Sequence, residues 1–342
     1  MLPNIAIIGA TGAVGDVFLR VAEERNFPVK DLKLLATARS AGKSLKFKNR
    51  NITVEEVSKA SLANSDIIFC SATSEASKEW GPFIREMGSV MIDDGSAFRM
   101  DRTVPLVIPE VNATDLSWHE GIISIPNCTT TPLALALHSM RSISDLTKVT
   151  ASTYQAVTGS GTAAVLELKN QLESLTQGNA IPTPIVYPQQ IAMNVIPQVD
   201  DFDEGNYTKE EIKMKNETRK ILHLPDLPIT ATCVRVPTII GHAETIHVEF
   251  QNPVDLQEIF SALSKQEGIS ISDLPHEYPT PLTAEGNDLI HIGRLRRDET
   301  VNNNKGIVFW CVSDNLRKGA ATNALQIAEE LLTRGLLRSN NA

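Results

Sequence analysis

The sequence contains few cysteines, and those it has are widely separated. Only four of its 342 residues are cysteine, at positions 70, 128, 233 and 311, and no two form a CxxC pair. Neither a disulfide framework nor a zinc site is therefore indicated, and no bound metal is expected. A reducing compartment fits this cysteine usage best, so we expect a cytoplasmic protein.

Net positive charge and long apolar runs are also lacking. Lys and Arg together number 32 against 41 Asp and Glu, a formal net charge of −9. A nucleic-acid partner is disfavoured, because neutralising phosphates needs clustered Lys and Arg. No apolar run approaches the ~18 residues that a membrane span needs, so no membrane partner is expected. The first apolar run, 5–8, follows no basic segment, and we interpret it as a strand rather than a signal peptide.

What the sequence does contain is typical of a two-domain globular protein. Hydrophobic residues make up 42% of the chain, which is ample for packed cores, and the length suggests about two domains. Strand and helix patterns alternate over the first part of the chain, with strands predicted at 5–8, 32–36, 66–72, 89–94 and 104–108. This alternation predicts an α/β fold built on a Rossmann-type doubly wound parallel sheet.

A glycine-rich turn joins the first strand to a helical pattern. Residues 9–15 read Gly-Ala-Thr-Gly-Ala-Val-Gly. Glycine lets the backbone approach a pyrophosphate, and the N-terminus of the following helix supplies N–H donors to it. A glycine triplet alone is weak, since tight turns also use glycine, but the order strand, turn, helix indicates a dinucleotide site.

The end of the second predicted strand bears on the choice of cofactor. An NAD site usually places an Asp or Glu there for the ribose 2′-hydroxyl, whereas this chain has Arg39, Ser40 and Lys43. These side chains suit a 2′-phosphate, so NADP is favoured over NAD. A solvated basic loop is the alternative interpretation. Residues 71–73 should end at the carboxyl edge of the sheet, where the cofactor lies.

Cys128 lies in the stretch best suited to covalent chemistry. The pattern around Thr130 and Pro132 predicts a helix beginning between them, because Thr is a good N-cap and Pro a good first helical residue. A thiol just before a helix N-terminus has a lowered pKa and becomes a nucleophile, and the same N–H groups can hold an oxyanion. The alternative is a cysteine that acts only as a small buried hydrophobe, which is our interpretation of Cys70.

The second half of the chain contains further polar candidates. Residues 208–211 fit a capping box, and the helix it begins would place Glu210 and Lys213 on one face, where a solvated salt bridge is the alternative. Arg235 lies in a predicted strand, 229–239, and a buried arginine usually has an anionic partner. His242 follows at a predicted glycine turn. The proline-rich stretch 182–197 is predicted to be irregular and to cover a site or a subunit contact.

Five motifs, in this order and spacing, resemble the aspartate-β-semialdehyde dehydrogenase family over nearly the whole chain. They are Gly-Ala-Thr-Gly-Ala-Val-Gly at 9–15, Pro-Asn-Cys-Thr at 126–129, Ser-Thr-Tyr-Gln-Ala-Val at 152–157, Arg-Val-Pro at 235–237 with Gly241-His242, and Asp-Asn-Leu-Arg-Lys-Gly-Ala-Ala at 314–321. The resemblance implies NADPH-dependent, reversible reduction of L-aspartyl 4-phosphate to aspartate semialdehyde and phosphate, on the route to lysine, methionine and threonine. It also implies a homodimer or homotetramer.

The resemblance implies roles for particular residues. Cys128 would form a thioester, His242 would act as the acid–base residue, and Gln155 would orient the intermediate. Substrate-binding residues would be Arg235 for the α-carboxylate, Glu210 for the α-ammonium, with Glu211 as the less favoured choice, and Arg99, Asn127 and Lys213 for the phosphoryl group. Cofactor-binding residues would be Gly9, Thr11, Gly12, Ala13, Val14, Gly15, Arg39, Ser40, Ser71, Thr73, Ser160, Gly161 and Asn315.

The expected domains follow the same resemblance. Residues 1–127 would form the NADP-binding domain, completed by a C-terminal helix at 315–342, and 128–314 an α+β catalytic and dimerisation domain. Two other functions remain open. One is a reductase of N-acetylglutamyl phosphate, whose substrate has no free ammonium and less use for Glu210. The other is a non-catalytic, NADP-binding redox sensor that responds to oxidation at Cys128.

Overall fold

A computed structural model describes residues 2–337 of the chain. The described residues divide into two compact units, one formed by residues 2–127 together with 320–337, the other by 128–319. The end of the predicted C-terminal helix, 338–342, lies outside the described residues. Within the described range, none of the helices combines the length and apolar character needed to cross a membrane.

The first unit is a seven-stranded sheet with helices between its strands. Its elements are β1 (Asn4–Ile8), α1 (Ala13–Glu24), β2 (Asp31–Ala36), β3 (Ser44–Phe47), β4 (Arg50–Glu56), α2 (Lys59–Leu62), β5 (Ile67–Cys70), α3 (Ser74–Glu86), β6 (Val90–Asp93), α4 (Pro109–Asn112) and β7 (Ile122–Ser124). The strand order is β3-β4-β2-β1-β5-β6-β7, and every pair is parallel except β3 and β4. The predicted doubly wound sheet is confirmed.

Two details of this unit differ from the prediction. The strand predicted at 104–108 is wrong: only Leu106 forms a bridge, to Ser124, and α4 starts at Pro109. Pro105 has no N–H for a ladder, which explains why this apolar run does not extend the sheet. The β3–β4 hairpin was not predicted, because its side chains are largely exposed and polar and give no apolar signal.

The last helix packs into the first unit. This helix, α10 (Thr322–Arg334), follows a π-helical turn, Arg317–Ala321, and Asn323 donates a hydrogen bond to the Val107 carbonyl at 2.9 Å. Its apolar face, which includes Leu325 and Leu331, is fully buried. The helix therefore begins later than the predicted residue 315, and residues 315–319 lie in the second unit.

The second unit is a six-stranded mixed sheet covered by helices. Its elements are α5 (Thr130–Met140), β8 (Leu146–Gln155), α6 (Thr162–Gln177), α7 (Lys209–Leu222), β9 (Ile229–Arg235), β10 (His242–Phe250), α8 (Leu256–Lys265), β11 (Ile269–Ile271), α9 (Pro281–Ala284), β12 (Ile290–Arg297) and β13 (Gly306–Ser313). The strand order is β11-β12-β13-β10-β8-β9, with β8–β9 and β11–β12 parallel and the other pairs antiparallel.

Several local predictions for the second unit can be compared with this structure. The helix predicted to begin between Thr130 and Pro132 begins at Thr130, and the predicted capping box at Thr208 is present. The strand predicted to reach 239 ends at Arg235, and His242 is the first residue of β10 rather than part of a turn. The proline-rich stretch 182–197 contains no helix or named strand, and it leaves Ile185 92% and Met193 82% exposed.

Candidate active site

One row of polar side chains crosses the sheet of the second unit where its central strands end or begin. Arg235 pairs with Gln155 across β9 and β8, and His242 pairs with Ser313 across β10 and β13. In the antiparallel pair of β10 and β8, Ala243 lies opposite the residue that precedes Gln155. His242, which precedes Ala243, therefore lies opposite Gln155. All four side chains of this row are buried. We call it the site row.

His242 is held in one tautomer by the backbone. The Ala156 N–H donates to His242 Nδ1 at 3.0 Å, so the neutral ring carries its proton on Nε2. Burial, reinforced by the Arg235 charge, lowers the pKa of His242 to about 3. The ring is therefore neutral near pH 7. Nε2 is buried and has no partner among the described residues, so it offers a proton donor to a bound molecule.

Arg235 is a buried cation with no counter-ion among residues 2–337. It is only 4% exposed, and Nη1 donates to the Ala156 carbonyl at 2.7 Å. Its guanidinium carbon lies 5.9 Å from the Tyr187 ring centroid, and its Nε has no hydrogen-bond partner within the described range of the chain. No carboxylate pairs with Arg235 in the part of the chain that the structure describes. A buried charge of this kind is costly unless an anion joins it, so the site is prepared for an anionic group.

Gly159 leaves the space in which the Arg235 and His242 side chains converge. A Cβ on Gly159 would lie 2.9 Å from Arg235 Nη1 and 3.2 Å from His242 Nε2. Both atoms therefore lie within 3.2 Å of one point beside the short 3₁₀ turn Val157–Ser160. A side chain here would displace the two groups, so only glycine allows this arrangement.

A hydrogen-bonded chain links the site row to α7. Gln155 Nε2 donates to Glu210 Oε1 at 3.0 Å, and Lys213 Nζ lies 3.4 Å from Glu210 Oε2. The same ammonium donates to Asp200 Oδ2 at 2.7 Å. Glu210 is 5% exposed, so this pair is not the solvated salt bridge that spacing alone allows. This series of hydrogen bonds brings the buried Glu210 carboxylate to the site row.

The neighbouring carboxylate of Glu211 is fully used by the backbone. Its Oε2 accepts from the Thr208 N–H at 2.7 Å and its Oε1 from the Cys233 N–H at 2.9 Å. Glu211 therefore fixes the start of α7 and ties it to β9. Only the Glu210 carboxylate is directed at Gln155, which favours Glu210 over Glu211 as a ligand-binding group.

Cys128 differs from the other cysteines in its exposure. Cys70, Cys233 and Cys311 are buried, whereas Cys128 is partly exposed two residues before the start of α5. Burial raises the pKa of Cys70 to about 12 and also raises those of Cys233 and Cys311, which keeps all three as thiols. A Cβ on Gly319 would lie 2.8 Å from Cys128 Cβ, so the close packing of residue 319 fixes the backbone at Cys128.

The glycine turn of the first unit has the form a dinucleotide requires. Gly9 has φ +86°, and a Cβ there would lie 2.0 Å from the Ser71 carbonyl oxygen. The Gly12 N–H donates to Gly9 O, and α1 begins at Ala13 with no side chain capping its N-terminus. A Cβ on Gly15 would clash with the Ala10 carbonyl at 2.6 Å. The turn therefore leaves helix N–H groups available for a pyrophosphate, as the sequence predicts.

Further residues predicted to contact the cofactor lie just after the ends of β2 and β5. Arg39 is exposed and Ser40 buried just after β2. The Ser71 hydroxyl donates to Asp94 Oδ2 at 3.0 Å, and the Thr73 hydroxyl caps α3. These bonds hold the carboxyl edge of the sheet, and contact with a cofactor remains a prediction for each residue.

The remaining predicted residues are divided between the units. Arg99 lies in the first unit, where it is buried and donates to the Asp94 carbonyl at 2.8 Å, and Asn127 is the last residue of that unit's long segment. Asn315, in the second unit, accepts from the Gly241 N–H at 2.9 Å and donates to Thr158 Oγ1 at 3.1 Å. Its side chain thereby fixes the turn before His242. Ser160 is the last residue of the 3₁₀ turn Val157–Ser160, and Gly161 follows it.

Sequence reasoning missed three residues around the site row. Thr153, Gly159 and Glu244 were not predicted, although Thr153 and Glu244 stand two positions from Gln155 and His242 on the same strands. Side chains two apart on a strand share a face, and that period was the available signal. No cluster of His, Cys, Asp and Glu suited to a metal ion occurs among residues 2–337.

Comparison with known proteins gives the same family for both units. The family models "Semialdehyde dehydrogenase, NAD binding domain" and "Semialdehyde dehydrogenase, dimerisation domain" match residues 4–119 and 137–318. Aspartate-semialdehyde dehydrogenase of Aquifex aeolicus is 46% identical over 98% of this chain and 99% of its own, and that of Bacillus subtilis 43% over 96% and 97%. The crystal structure of aspartate semialdehyde dehydrogenase II complexed with ASA, from Vibrio cholerae, has a TM-score of 0.94 at 41% identity, covering 97% of this chain and 99% of that one.

Proposed function

Since this chain belongs to the aspartate-semialdehyde dehydrogenase family, we propose that it catalyses the reversible, NADPH-dependent reduction of L-aspartyl 4-phosphate to L-aspartate 4-semialdehyde and phosphate. The reaction would serve the synthesis of lysine, methionine and threonine. The observation that carries this proposal is the buried Arg235 beside His242, which has no carboxylate partner among the described residues, with the buried carboxylate of Glu210 linked to the same row.

Two opposite charges would select the amino-acid end of the substrate. Arg235 presents a guanidinium that no carboxylate of residues 2–337 neutralises, which suits the α-carboxylate. Glu210 presents a carboxylate held by Gln155 and Lys213, which suits the α-ammonium. An N-acetylated substrate has no ammonium to balance that carboxylate. The pair therefore supports aspartyl phosphate over N-acetylglutamyl phosphate.

Covalent catalysis would take place at Cys128. Its sulfur, as thiolate, would attack the acyl phosphate carbonyl, and phosphate would leave as a thioester forms. Because α5 begins two residues later, its first N–H groups would stabilise the oxyanion of the tetrahedral intermediate. When the thioester carbon has been reduced, collapse of the resulting hemithioacetal would release the aldehyde and return the sulfur to its starting state.

His242 and Gln155 would assist through hydrogen bonds. Because the Ala156 N–H bond to Nδ1 assigns the ring proton to Nε2, His242 would donate a proton to the sulfur or to the carbonyl oxygen. The Gln155 amide would orient the intermediate, since its two polar ends are already fixed by protein partners. Arg99, Asn127 and Lys213 would bind the phosphoryl group.

A nicotinamide cofactor fits the first unit. Gly9, Gly12 and Gly15 would let its pyrophosphate approach the start of α1, and the cofactor would supply the hydride. We infer NADP rather than NAD, because Arg39, Ser40 and Lys43 follow β2 where an NAD site usually has an acidic residue.

The substrate assignment is tested by comparing substrates and an Arg235 variant. Wild-type enzyme should oxidise aspartate semialdehyde and not N-acetylglutamate semialdehyde. Arg235→Lys should lower kcat/KM for aspartate semialdehyde by roughly 10- to 150-fold, the loss of a charged hydrogen bond of about 1.5–3 kcal/mol. Steady-state kinetics measure both.

The matched control is Arg296→Lys, since Arg296 is exposed on β12. This variant should keep wild-type kinetics. A preference for the N-acetylated aldehyde, or an unchanged kcat/KM in Arg235→Lys, would contradict the proposal.

A further inference from the structure

A second row of side chains, two of them polar, lies beneath the site row on the same face of the sheet. Its members are Cys233, Thr153, Glu244 and Cys311, paired in that order across β9, β8, β10 and β13. All four are buried. The Cys233 sulfur lies 3.5 Å from the Met214 sulfur, so this face is covered by α7. We call it the lower row.

The lower row contains the polar side chains of Thr153 and Glu244 at a position where the sheet would otherwise be apolar. The next row along the same strands consists of Ala231, Ala151, Ile246 and Phe309, all buried. Polar atoms inside a packed core are hydrogen-bonded or have a functional reason to be there. Thr153, directly below Gln155 in the strand, is the member of the lower row with a bond to the site row.

Thr153 is bonded to one end of the Gln155 amide. Its hydroxyl donates to Gln155 Oε1 at 3.0 Å, and its side chain is fully buried. At the other end of the amide, Nε2 donates to Glu210 Oε1 at 3.0 Å. A hydroxyl donor on one side and a carboxylate acceptor on the other select the same one of the two amide orientations.

We propose that Thr153 is a positioning residue for the reaction: its hydroxyl fixes the Gln155 amide with Nε2 toward Glu210 and the substrate. This inference rests on the proposed function, because it gives Gln155 and Glu210 their roles. Without the hydroxyl, the Gln155 oxygen loses its buried donor. The amide then turns or shifts, and an oxygen facing Glu210 would repel that carboxylate.

The test replaces the hydroxyl with a methyl group of the same shape. Thr153→Val should lower kcat for phosphate-dependent oxidation of aspartate semialdehyde by about 10- to 100-fold, the range expected when a catalytic group is slightly misplaced. KM should change much less, because Arg235 and Glu210 remain. Thr153→Ser, which restores the hydroxyl, should recover most of the lost kcat.

A double-mutant cycle separates positioning from general damage. In a Gln155→Ala background, Thr153→Val should have little further effect, because the group that it positions is already gone. Thr150→Val is the matched control, since Thr150 lies on the same strand but on its opposite face, and it should keep wild-type kinetics.

Several outcomes would overturn the proposal. These are an unchanged kcat in Thr153→Val, an equal loss of kcat in the Gln155→Ala background, or no recovery in Thr153→Ser. If Thr153→Val does not fold, Thr153→Ala removes the same hydroxyl and enters the same cycle. Failure of the proposed function is distinguishable, because wild-type enzyme would then show no phosphate-dependent turnover of aspartate semialdehyde at all.

Discussion

At the scale of single residues, burial shifts the pKa values of two ionisable groups on β10, and each shift favours the uncharged form of its group. Burial lowers the pKa of His242 to about 3, whereas burial and the nearby Glu210 raise the pKa of Glu244 well above its usual value. Both carboxyl oxygens of Glu244 are buried and have no hydrogen-bond partner among the described residues. Near pH 7 the His242 ring is therefore neutral, and burial favours the neutral form of the Glu244 carboxyl group.

The neutral Glu244 predicts a pH dependence of stability. Above about pH 4.5 the unfolded chain releases the Glu244 proton while the folded chain keeps it, so this group's contribution falls as pH rises toward the folded pKa. Each pH unit in that window costs up to about 1.4 kcal/mol. Glu244→Gln has no such proton. The free energy of unfolding of Glu244→Gln relative to wild type should therefore rise between about pH 5 and 7, as urea titrations at fixed protein concentration would measure.

His242 acts in the opposite direction. Its lowered pKa makes the folded protein lose stability as pH falls from about 6.5 toward 3. This change is the same in wild type and in Glu244→Gln, so it cancels in the difference between their free energies of unfolding. Glu267→Gln is the control, since Glu267 is exposed on the loop after α8, and its difference from wild type should stay constant. A constant difference for Glu244→Gln as well would show that Glu244 is not held as a neutral acid.

At the scale of elements, α7 supplies two adjacent carboxylates with separate functions. Glu211 accepts from two backbone N–H groups, whereas Glu210 accepts from Gln155. Glu211→Ala should lower the free energy of unfolding by about 1–3 kcal/mol, because buried N–H donors lose their acceptor. Glu210→Gln should instead reduce kcat/KM for aspartate semialdehyde with little loss of stability.

Each of these variants is the control for the other. Thermal unfolding and steady-state kinetics, measured on both, give two independent readouts. The assignment would be reversed if Glu211→Ala lost activity at full stability while Glu210→Gln kept its kcat/KM.

Elements of this kind also show what the sequence could predict. The capping box at Thr208 and the helix start at Thr130 depend on neighbouring residues, and both were predicted from local pattern. The strand predicted at 104–108 is wrong because apolar content outweighed the missing N–H of Pro105. The position of His242 at the start of β10, rather than in a turn, is set by pairing with Ser313, which is distant in the sequence.

The same limit applies to the site. Cys128, Gln155, Arg235 and His242 were singled out through their motifs, and Arg235, Gln155 and His242 meet in one row of the sheet. Thr153 was missed although it lies two residues from Gln155, because its importance depends on a hydrogen bond that local pattern does not reveal. The buried charge balance around Arg235 likewise depends on which side chains the fold brings near.

At the scale of the whole molecule, the two units contain different parts of the proposed reaction. The first unit has the glycine turn and the basic loop that we propose bind NADP, and the second has Cys128 and the site row. The family models that match the units describe an NAD binding domain and a dimerisation domain, in keeping with this division. Loss of the nucleophile should therefore leave cofactor binding intact.

In the proposed mechanism, Cys128 forms a thioester that phosphate resolves in the reverse reaction. The most direct measurement is NADPH formation from aspartate semialdehyde by wild-type and Cys128→Ala enzyme, with and without phosphate, and with NADP or NAD. We predict phosphate-dependent turnover with NADP for the wild type, and none for the variant, which should still bind NADP. Turnover retained in Cys128→Ala, or wild-type NADPH formation that does not require phosphate, would contradict the account.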